Sequence, residues 1–157
     1  MTNSFTHLDE TGKAKMVDVG EKSDSVRIAK ASGLVTTNSQ VLDLVQNNAL
    51  PKGDLFAAVR LAGIMAAKKT SELIPLCHPL AINAIEVDIE TIKQGFLITA
   101  MVKTSGKTGV EMEALTAVSV AALTAIDMIK AVDKSAMITE VKLLEKSGGK
   151  SGTWTRE

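Results

Sequence analysis

The feature that most constrains the fold of this chain is one long segment that has the period of a helix and is apolar on almost every side. It reads "TGVEMEALTAVSVAALTAIDMIKAV" and covers residues 108–132. A helix of this kind must be covered on most of its faces. We therefore expect a sheet on one side and partner subunits on part of the rest, with Thr108 opening the helix. Its longest uncharged run, 114–126, is shorter than the ~20 apolar residues that span a bilayer, so no membrane span is predicted.

A β-hairpin is the clearest element in the remaining sequence. "AIEVDIETI" at 84–92 alternates apolar and polar residues, and "GFLITAMVK" at 95–103 continues the two-residue period after the turn "KQG". This period is typical of strands that bury one face. Further strands are predicted for "SVRIAKASGLVTT" at 25–37, with a break at Gly33, and for "AMITEVKLLEK" at 136–146.

Two shorter helices precede the hairpin. "QVLDLVQNN" follows Asn38 or Ser39 as a candidate N-cap, and "LFAAVRLAGIMAAKK" follows Asp54. Apolar residues in the second helix recur at spacings of three and four, which predicts a core-facing side made of Leu55, Ala58, Val59, Ala62 and Met65. The order of elements is strand, two helices, hairpin, long helix and strand. It predicts an α+β domain with an antiparallel sheet and helices packed on one face, close to the ferredoxin-like pattern.

Length and composition limit the classes of protein to which this chain can belong. The chain has 157 residues, of which 45% are hydrophobic, and this predicts one domain over 1–157 with a flexible polar segment at about 1–15. Eighteen Lys plus Arg offset eighteen Asp plus Glu, and aromatic residues make up 3%. We expect no nucleic-acid partner, because such binding usually needs a net positive surface and stacking aromatics. With Cys77 as the single cysteine and no apolar signal-peptide core, a cytoplasmic location is expected.

The stretch "KKTSELIPLCHPLAI" at 68–82 holds the cysteine, two of the three prolines and one of the two histidines. A metal site would need more ligands than Cys77 and His78, and the other histidine, His7, lies in the polar first segment. A Cys/His catalytic pair is disfavoured because adjacent residues on an extended chain point in opposite directions. The simplest interpretation buries Cys77 as a small apolar group and leaves His78 as a polar surface residue.

The long helix carries charged residues that need an explanation. Successive residues turn by about 100°, so Asp127 and Lys130 lie on one surface and can act on one ligand. Glu113 lies on nearly the same side, but roughly 21 Å away along the helix axis. If Glu113 and Asp127 serve one function, they do so at different sites or across an interface. The alternative is a routine helix ion pair, with N-terminal glutamates favoured by the helix dipole.

Two glycine-rich segments resemble parts of a phosphate-binding P-loop. They are "SGKTG" at 105–109 and "GGKS" at 148–151, and both lack the first glycine of the full pattern. The free N–H groups of a helix that starts at Gly109 can still receive an anion. Lys146 and Lys150 lie on either side of the two glycines of the second segment, although turn glycines with solvated lysines are by themselves the better explanation of both segments.

Four segments taken together resemble one known family. They are "MVDV" at 16–19, "KGDLFAAVRLAGIMAAKKTSELIPLCHPL" at 52–80, "KTGVEMEALTAVSVAALTAIDMIKAV" at 107–132 and "LLEKSGGKSG" at 143–152. The combination closely resembles the cyclic pyranopterin monophosphate synthases, the molybdenum cofactor biosynthesis protein C family. The resemblance runs over nearly the whole chain, and its motifs are long and specific.

The resemblance implies a phosphorus–oxygen lyase of molybdenum cofactor (molybdopterin) biosynthesis. Its substrate would be (8S)-3',8-cyclo-7,8-dihydroguanosine 5'-triphosphate, supplied by the preceding radical GTP cyclase. The family rearranges this compound to cyclic pyranopterin monophosphate and releases diphosphate, with no metal or organic cofactor. The resemblance also implies a ferredoxin-like subunit, assembled as a homohexamer that is a trimer of dimers, with active sites at subunit interfaces.

The same resemblance assigns roles to residues of this chain. The catalytic set comprises Asp127 as acid/base, with Lys130 one turn along, and Lys52. The substrate-binding set comprises the turn Leu76, Cys77 and His78, the segment Met112 and Glu113, the lysine Lys146, and Glu111 and Arg27 as additional contacts. Two rivals remain: a non-catalytic ferredoxin-like oligomer that binds a nucleotide or another small anion as a regulator, and a purely structural oligomer.

Overall fold

A computed structural model of the chain describes residues 7–9, 11–150 and 152–157. The expectation of a flexible segment at about 1–15 lies partly outside these residues, since it includes 1–6 and 10. In the described part of that segment, Leu8 and Ala14 form an antiparallel bridge. Asp9 closes the turn between them by accepting hydrogen bonds from the backbone N–H groups of Thr11 and Lys13, at 2.8 and 2.9 Å.

Nine helices and strands follow in the described residues. In chain order they are β1 (Ser25–Thr36), α1 (Ser39–Gln46), α2 (Leu55–Lys68), α3 (Thr70–Leu73), β2 (Ile82–Ile92), β3 (Gly95–Gly106), α4 (Glu111–Ile129), β4 (Met137–Ser147) and β5 (Trp154–Thr155).

The strands form one antiparallel sheet in the order β2-β3-β1-β4-β5. The helix α4 packs across β1, β3 and β4, and α2 lies beside it against β2. The predicted α+β architecture, with an antiparallel sheet and helices on one face, is therefore confirmed. The predicted hairpin is confirmed as β2 and β3, joined by a turn at Lys93 and Gln94.

The predicted caps of α1 and α2 are confirmed, and each satisfies a free backbone donor in the first turn. The Asn38 side chain accepts a hydrogen bond from the Val41 N–H at 3.0 Å, and Asp54 accepts one from the Ala57 N–H at 3.0 Å. Fixing the start of α2 also fixes the loop before it, which carries Lys52.

Three details of the predicted elements are wrong. The break expected at Gly33 is absent, because this glycine lies inside β1 and pairs with both neighbouring strands, opposite Ile98 of β3 and Val141 of β4. The helix α4 begins at Glu111 and not at Thr108, because Val110 is buried in the core in a non-helical conformation and no side chain caps the helix. Met65 is 59% exposed and does not face the core.

The helix α4 is also long and apolar enough to cross a membrane by composition alone, since a window of 18 of its 19 residues has a mean hydropathy of 1.6. Half of that window is buried inside the fold, against the sheet and α2. Such burial is typical of a core helix in a protein that folds in water. The elements α3 and β5 were not predicted, because each is too short to display a period.

Candidate active site

The candidate site residues fall into two groups at opposite ends of α4. Glu111, Met112 and Glu113 form its first turn, whereas Asp127 lies in its last turn and Lys130 is its C-cap. Fourteen positions separate Glu113 from Asp127, which is about 21 Å at the rise of an α-helix. One subunit therefore does not bring the two groups to a common ligand.

The first group is the lysine–aspartate cluster, formed by Lys52, Asp127 and Lys130. The Lys52 Nζ lies 2.6 Å from one carboxylate oxygen of Asp127, and the Lys130 Nζ lies 2.7 Å from the other. The hydrogen bonds from Lys130 and Lys52 lower the pKa of Asp127 to about 2. The cluster is solvent-accessible, with 54% of the Asp127 side chain exposed, so a ligand can reach all three groups.

The fold brings Lys52 to this cluster through the packing of α2 against α4. Lys52 lies just before α2, whose N-cap is Asp54, and Asp127 lies near the end of α4. The two helices pack side by side, with the start of α2 at the end of α4. Gly53 has a φ of +91°, a conformation that glycine adopts readily, and it turns the chain between Lys52 and the helix.

The second group lines a cavity of about 470 Å³ at the start of α4, which we call the Leu76–His78 cavity. Its lining includes six of the predicted binding residues, namely Leu76, Cys77, His78, Glu111, Met112 and Glu113. The structure thus places the predicted binding turn and the predicted helix segment on two sides of one space.

The binding turn is held by the backbone of the segment that follows α2. The short helix α3 ends where the Ile74 N–H donates to the Thr70 carbonyl at 2.9 Å, and the Cys77 N–H then donates to the Ile74 carbonyl at 3.1 Å. Thr70 is buried and its hydroxyl donates to the Ala67 carbonyl at 3.0 Å. These bonds fix residues 76–78 relative to α2.

Burial dominates the electrostatics of the cavity. Glu113 is only 4% exposed, and burial, together with the charge of Glu111, raises the pKa of its carboxyl group. Burial also raises the pKa of the Cys77 thiol, with a further contribution from Glu113. A raised pKa disfavours the thiolate, which is the nucleophilic form of cysteine.

Lys146 and Arg27 lie next to this cavity without lining it. The Lys146 Nζ is 3.5 Å from a Glu111 carboxylate oxygen. Arg27 donates from Nε to the Gly106 carbonyl at 2.9 Å and from Nη2 to the Lys107 carbonyl at 3.2 Å. Both residues therefore belong to the same end of α4 as the predicted binding turn.

Sequence reasoning missed the contribution of the N-terminal segment. His7, Val17, Val19 and Lys22 also line the Leu76–His78 cavity. The motif "MVDV" at 16–19 could have indicated that this segment contributes to the site, because it is part of the family resemblance. No sequence pattern indicated that His7 lines the cavity. Within the described residues, no group of three His, Cys, Asp or Glu side chains lies close enough together to hold a metal ion.

The fold and the candidate site together define an α+β protein with a lysine–aspartate cluster at one end of its core helix and a cavity at the other end. The MoaC family model matches residues 16–149. The chain belongs to the MoaC family.

Curated relatives cover nearly the whole chain. A protein of Streptomyces griseus is 58% identical over 154 residues, which is 98% of this chain and 87% of the relative. A protein of Thermomicrobium roseum is 56% identical over 98% of this chain and 93% of its own length. A protein of Novosphingobium aromaticivorans is 54% identical over 97% of both chains. All three relatives bear the name cyclic pyranopterin monophosphate synthase.

Proposed function

We propose that this chain is a cyclic pyranopterin monophosphate synthase. It converts (8S)-3',8-cyclo-7,8-dihydroguanosine 5'-triphosphate to cyclic pyranopterin monophosphate and diphosphate, as a phosphorus–oxygen lyase of molybdenum cofactor biosynthesis. The observation that carries the proposal is that relatives at 54–58% identity over nearly the full chain share this name. The arrangement of the lysine–aspartate cluster supports it, because ring opening and ring closure need proton transfers at nitrogen and oxygen.

In this proposal the lysine–aspartate cluster moves the protons. With a pKa of about 2, Asp127 is ionised at neutral pH and holds Lys52 and Lys130 in place. A general base works best when its pKa lies near the working pH. A substrate that draws one lysine away from the carboxylate would raise the pKa of Asp127 towards that range, because both lysines lower it.

The Leu76–His78 cavity binds the base-derived part of the same substrate. His78 and Glu111 offer polar contacts at its wall, while Leu76 and Met112 offer apolar surface. Burial raises the pKa of Glu113, and its carboxyl group can accept a hydrogen bond from a ring N–H when ionised or donate one to a ring carbonyl when protonated. Lys146 and Arg27 add positive charge beside the cavity, which favours a substrate that carries phosphates.

The two groups serve one active site only if two subunits contribute to it. We therefore propose a ferredoxin-like subunit in a homohexamer, a trimer of dimers with the active sites at its interfaces. The sheet order β2-β3-β1-β4 supports the subunit topology. Three large apolar side chains on α2 and α4 support the assembly. Leu61, Met65 and Leu123 are each about 60% exposed, and exposed apolar surface of this kind is typical of subunit interfaces.

The proposed setting is the cytoplasm, where the preceding radical GTP cyclase supplies the substrate. The whole chain of 157 residues acts as one domain in this proposal, without a metal or organic cofactor and without nucleic-acid or membrane partners.

The direct test is to incubate the purified protein with the cyclised GTP derivative and to analyse the products by mass spectrometry. We expect cyclic pyranopterin monophosphate and diphosphate in equal amounts. Binding of the substrate without either product, by a folded and oligomeric protein, would contradict the proposal and favour a regulator that binds anions.

A further inference from the structure

The strand β4 changes its register against β1 at Leu144. The residue before it pairs with Ala31 and the residue after it pairs with Lys30, so Leu144 is one residue more than β1 matches. An extra residue of this kind is a β-bulge, which bends the strand and interrupts the regular ladder. The bulge therefore decides on which face of the sheet the following residues of β4 lie.

The bulge turns Lys146 towards the helices. Lys146 lies opposite Ala29, whose side chain belongs to the core, and its Nζ is 3.5 Å from a carboxylate oxygen of Glu111 in α4. If the register of 140–143 continued, Lys146 would lie opposite Ile28 instead. A shift of one residue moves a side chain to the other face of a sheet, so Lys146 would then lie on the outer face, away from the helices.

The neighbouring residue, Glu145, is turned the opposite way. It lies opposite Lys30, and its carboxylate is 3.1 Å from the Lys30 Nζ on the outer face. Without the bulge, Glu145 would lie opposite Ala29, and its carboxylate would take the place of a lysine close to Glu111. The bulge thus puts the cation of this pair beside the Leu76–His78 cavity and the anion on the outer face.

Arg156, the residue after β5, bonds both carbonyls at the bulge. Its backbone N–H donates to the Leu144 carbonyl at 2.8 Å, and its Nε donates to the Leu143 carbonyl at 2.6 Å. Consecutive carbonyls of a regular strand point to opposite neighbours. At this bulge, both carbonyls accept hydrogen bonds from one residue, so the Arg156 side chain satisfies an acceptor that the interrupted ladder leaves free.

The strand β5 holds Arg156 in this position. Trp154 pairs with Lys146 and Thr155 pairs with Glu145. The guanidinium carbon of Arg156 lies 5.4 Å from the centroid of the Trp154 ring, a distance at which a cation is attracted to an aromatic face. The bulge is therefore fixed by β1 on one side and by β5 with Arg156 on the other.

We propose that Arg156 is a positioning residue of the active site. It stabilises the β-bulge at Leu144 and thereby keeps Lys146 on the helix face, beside the Leu76–His78 cavity. Arg156 acts through Lys146 and does not itself contact the substrate. Its effect on turnover rests on the proposed function, in which Lys146 favours a substrate that carries phosphates.

Arg156→Met tests the inference, because methionine keeps the backbone N–H but has no donor for the Leu143 carbonyl. We expect the KM for the cyclised GTP derivative to rise by roughly tenfold, the value of one charge-assisted hydrogen bond. The kcat should change little, because Lys146 contributes to binding in the ground state and the transition state alike. A variant that loses thermal stability but keeps its KM would show a purely structural role and overturn the inference.

A double variant shows whether Arg156 acts through Lys146. Arg156→Met combined with Lys146→Met should have the KM of Lys146→Met alone, because changes that act through one group are not additive. If the KM of the double variant rises by the product of the two single effects, Arg156 acts on the substrate independently. That result would overturn the inference.

Arg60→Met is the matched control, because Arg60 makes the same kind of contact at the other edge of the sheet. Its Nε donates to the Val87 carbonyl of β2 at 3.1 Å, and its Nη2 contacts the Asp88 carboxylate at 3.2 Å. The strands β3 and β1 lie between β2 and β4. We expect this variant to keep the KM of the wild type. A rise equal to that of Arg156→Met would mean that the loss of any arginine at a sheet edge weakens substrate binding, which overturns the inference.

Backbone hydrogen exchange separates this inference from the proposed function, because it needs no turnover. Peptides that cover 143–147 should exchange roughly tenfold faster in Arg156→Met than in the wild type, since one hydrogen bond less holds the bulge closed. Peptides from β2 should exchange alike in both proteins. Equal exchange at 143–147 would overturn the inference. A wild type that makes no product, with faster exchange in Arg156→Met, would overturn the proposed function and leave Arg156 as the residue that holds the bulge.

Discussion

At the scale of the residue, Asp127 is the group on which the proposed chemistry depends most. Its two carboxylate oxygens each contact one ammonium group, at 2.6 and 2.7 Å. The sequence predicts that Asp127 and Lys130 lie close together, because residues three positions apart on a helix share one surface. Lys52 is 75 positions away along the chain, and only tertiary packing brings it there. Spacing alone therefore predicts a helix ion pair, whereas the fold produces a cluster of three charges.

We expect Asp127→Asn to reduce kcat by on the order of a hundredfold, because it keeps the shape of the side chain but removes proton exchange. The KM should change little. Steady-state kinetics with the cyclised GTP derivative measures both constants. Asp88→Asn is the matched control, since Asp88 is an exposed carboxylate in a surface ion pair with Arg60. Near-normal turnover by Asp127→Asn, with the oligomer intact, would mean that the cluster is a surface salt bridge without a catalytic role.

A second aspartate, Asp133, has a structural role at the residue scale. It accepts hydrogen bonds from the Thr37 hydroxyl at 2.8 Å, the Asn38 N–H at 2.9 Å, and the N–H and hydroxyl of Ser135 at 2.9 and 2.6 Å. These bonds, led by those from the hydroxyls of Ser135 and Thr37, lower the pKa of Asp133 from 3.8 to about 2.

Because the folded state holds the pKa of Asp133 below its ordinary value, the carboxylate stabilises the fold at any pH above about 4 and loses that effect as the pH falls towards 2. Asp133→Asn cannot accept all four hydrogen bonds. We expect a lower Tm at pH 7, with the difference from the wild type narrowing below pH 4. Thermal unfolding across this range measures the effect, and a constant difference in Tm would contradict it.

At the scale of the element, α2 and α4 must pack closely to bring Lys52 to Asp127. Gly63 of α2 faces β2 and α4, and a Cβ at this position would be 3.1 Å from two methyl carbons of Val87 and 3.2 Å from the Ala117 carbonyl oxygen. A backbone oxygen cannot move aside without shifting α4. Gly63 therefore sets the distance between the two helices.

We expect Gly63→Val to lower the free energy of unfolding by about 1–3 kcal/mol, since it overpacks this contact. It should also lower kcat, because the shift reaches the lysine–aspartate cluster through α2. Chemical denaturation and kinetics on the same preparation give both quantities. Unchanged stability would mean that the helices adjust freely, and α2 would not be a fixed support for Lys52.

The elements also mark how far the sequence can predict the fold. The hairpin and the caps at Asn38 and Asp54 were predictable, because alternation and capping are local patterns. The continuity of β1 through Gly33 was not, because it depends on pairing with β3 and β4, which lie far along the chain. The exposure of Met65 was also not predictable. Apolar residues occur on several faces of α2, so its sequence does not indicate which face packs against the sheet.

At the scale of the whole molecule, the exposed apolar residues of α2 and α4 predict an interface. Leu61→Glu places a charge within the surface formed by Leu61, Met65 and Leu123. We expect it to dissociate the oligomer, because a buried charge without a partner is strongly unfavourable. Sedimentation velocity would detect the smaller species, and turnover should fall with the oligomer. Lys93→Glu at the hairpin turn is the control and should leave the assembly intact. Retention of a full-size oligomer by Leu61→Glu would exclude this surface.

The proposed division of the active site between the two ends of α4 belongs to the scale of the whole molecule, because it requires a second subunit. Sequence spacing already gives a separation of about 21 Å between Glu113 and Asp127, and the fold preserves it because α4 is a continuous helix. In the proposed active site, one subunit therefore supplies the Leu76–His78 cavity and another supplies the lysine–aspartate cluster.

Subunit mixing tests this requirement most directly. His78→Ala and Asp127→Asn, each of which we expect to lower turnover, are co-expressed with different tags, and mixed oligomers are purified by both tags in sequence. If each site joins His78 of one subunit to Asp127 of another across a two-fold interface, some sites in the mixture carry neither change. We expect turnover to recover to about a quarter of the wild-type rate. Mixed oligomers no more active than the two parent variants would contradict the shared site.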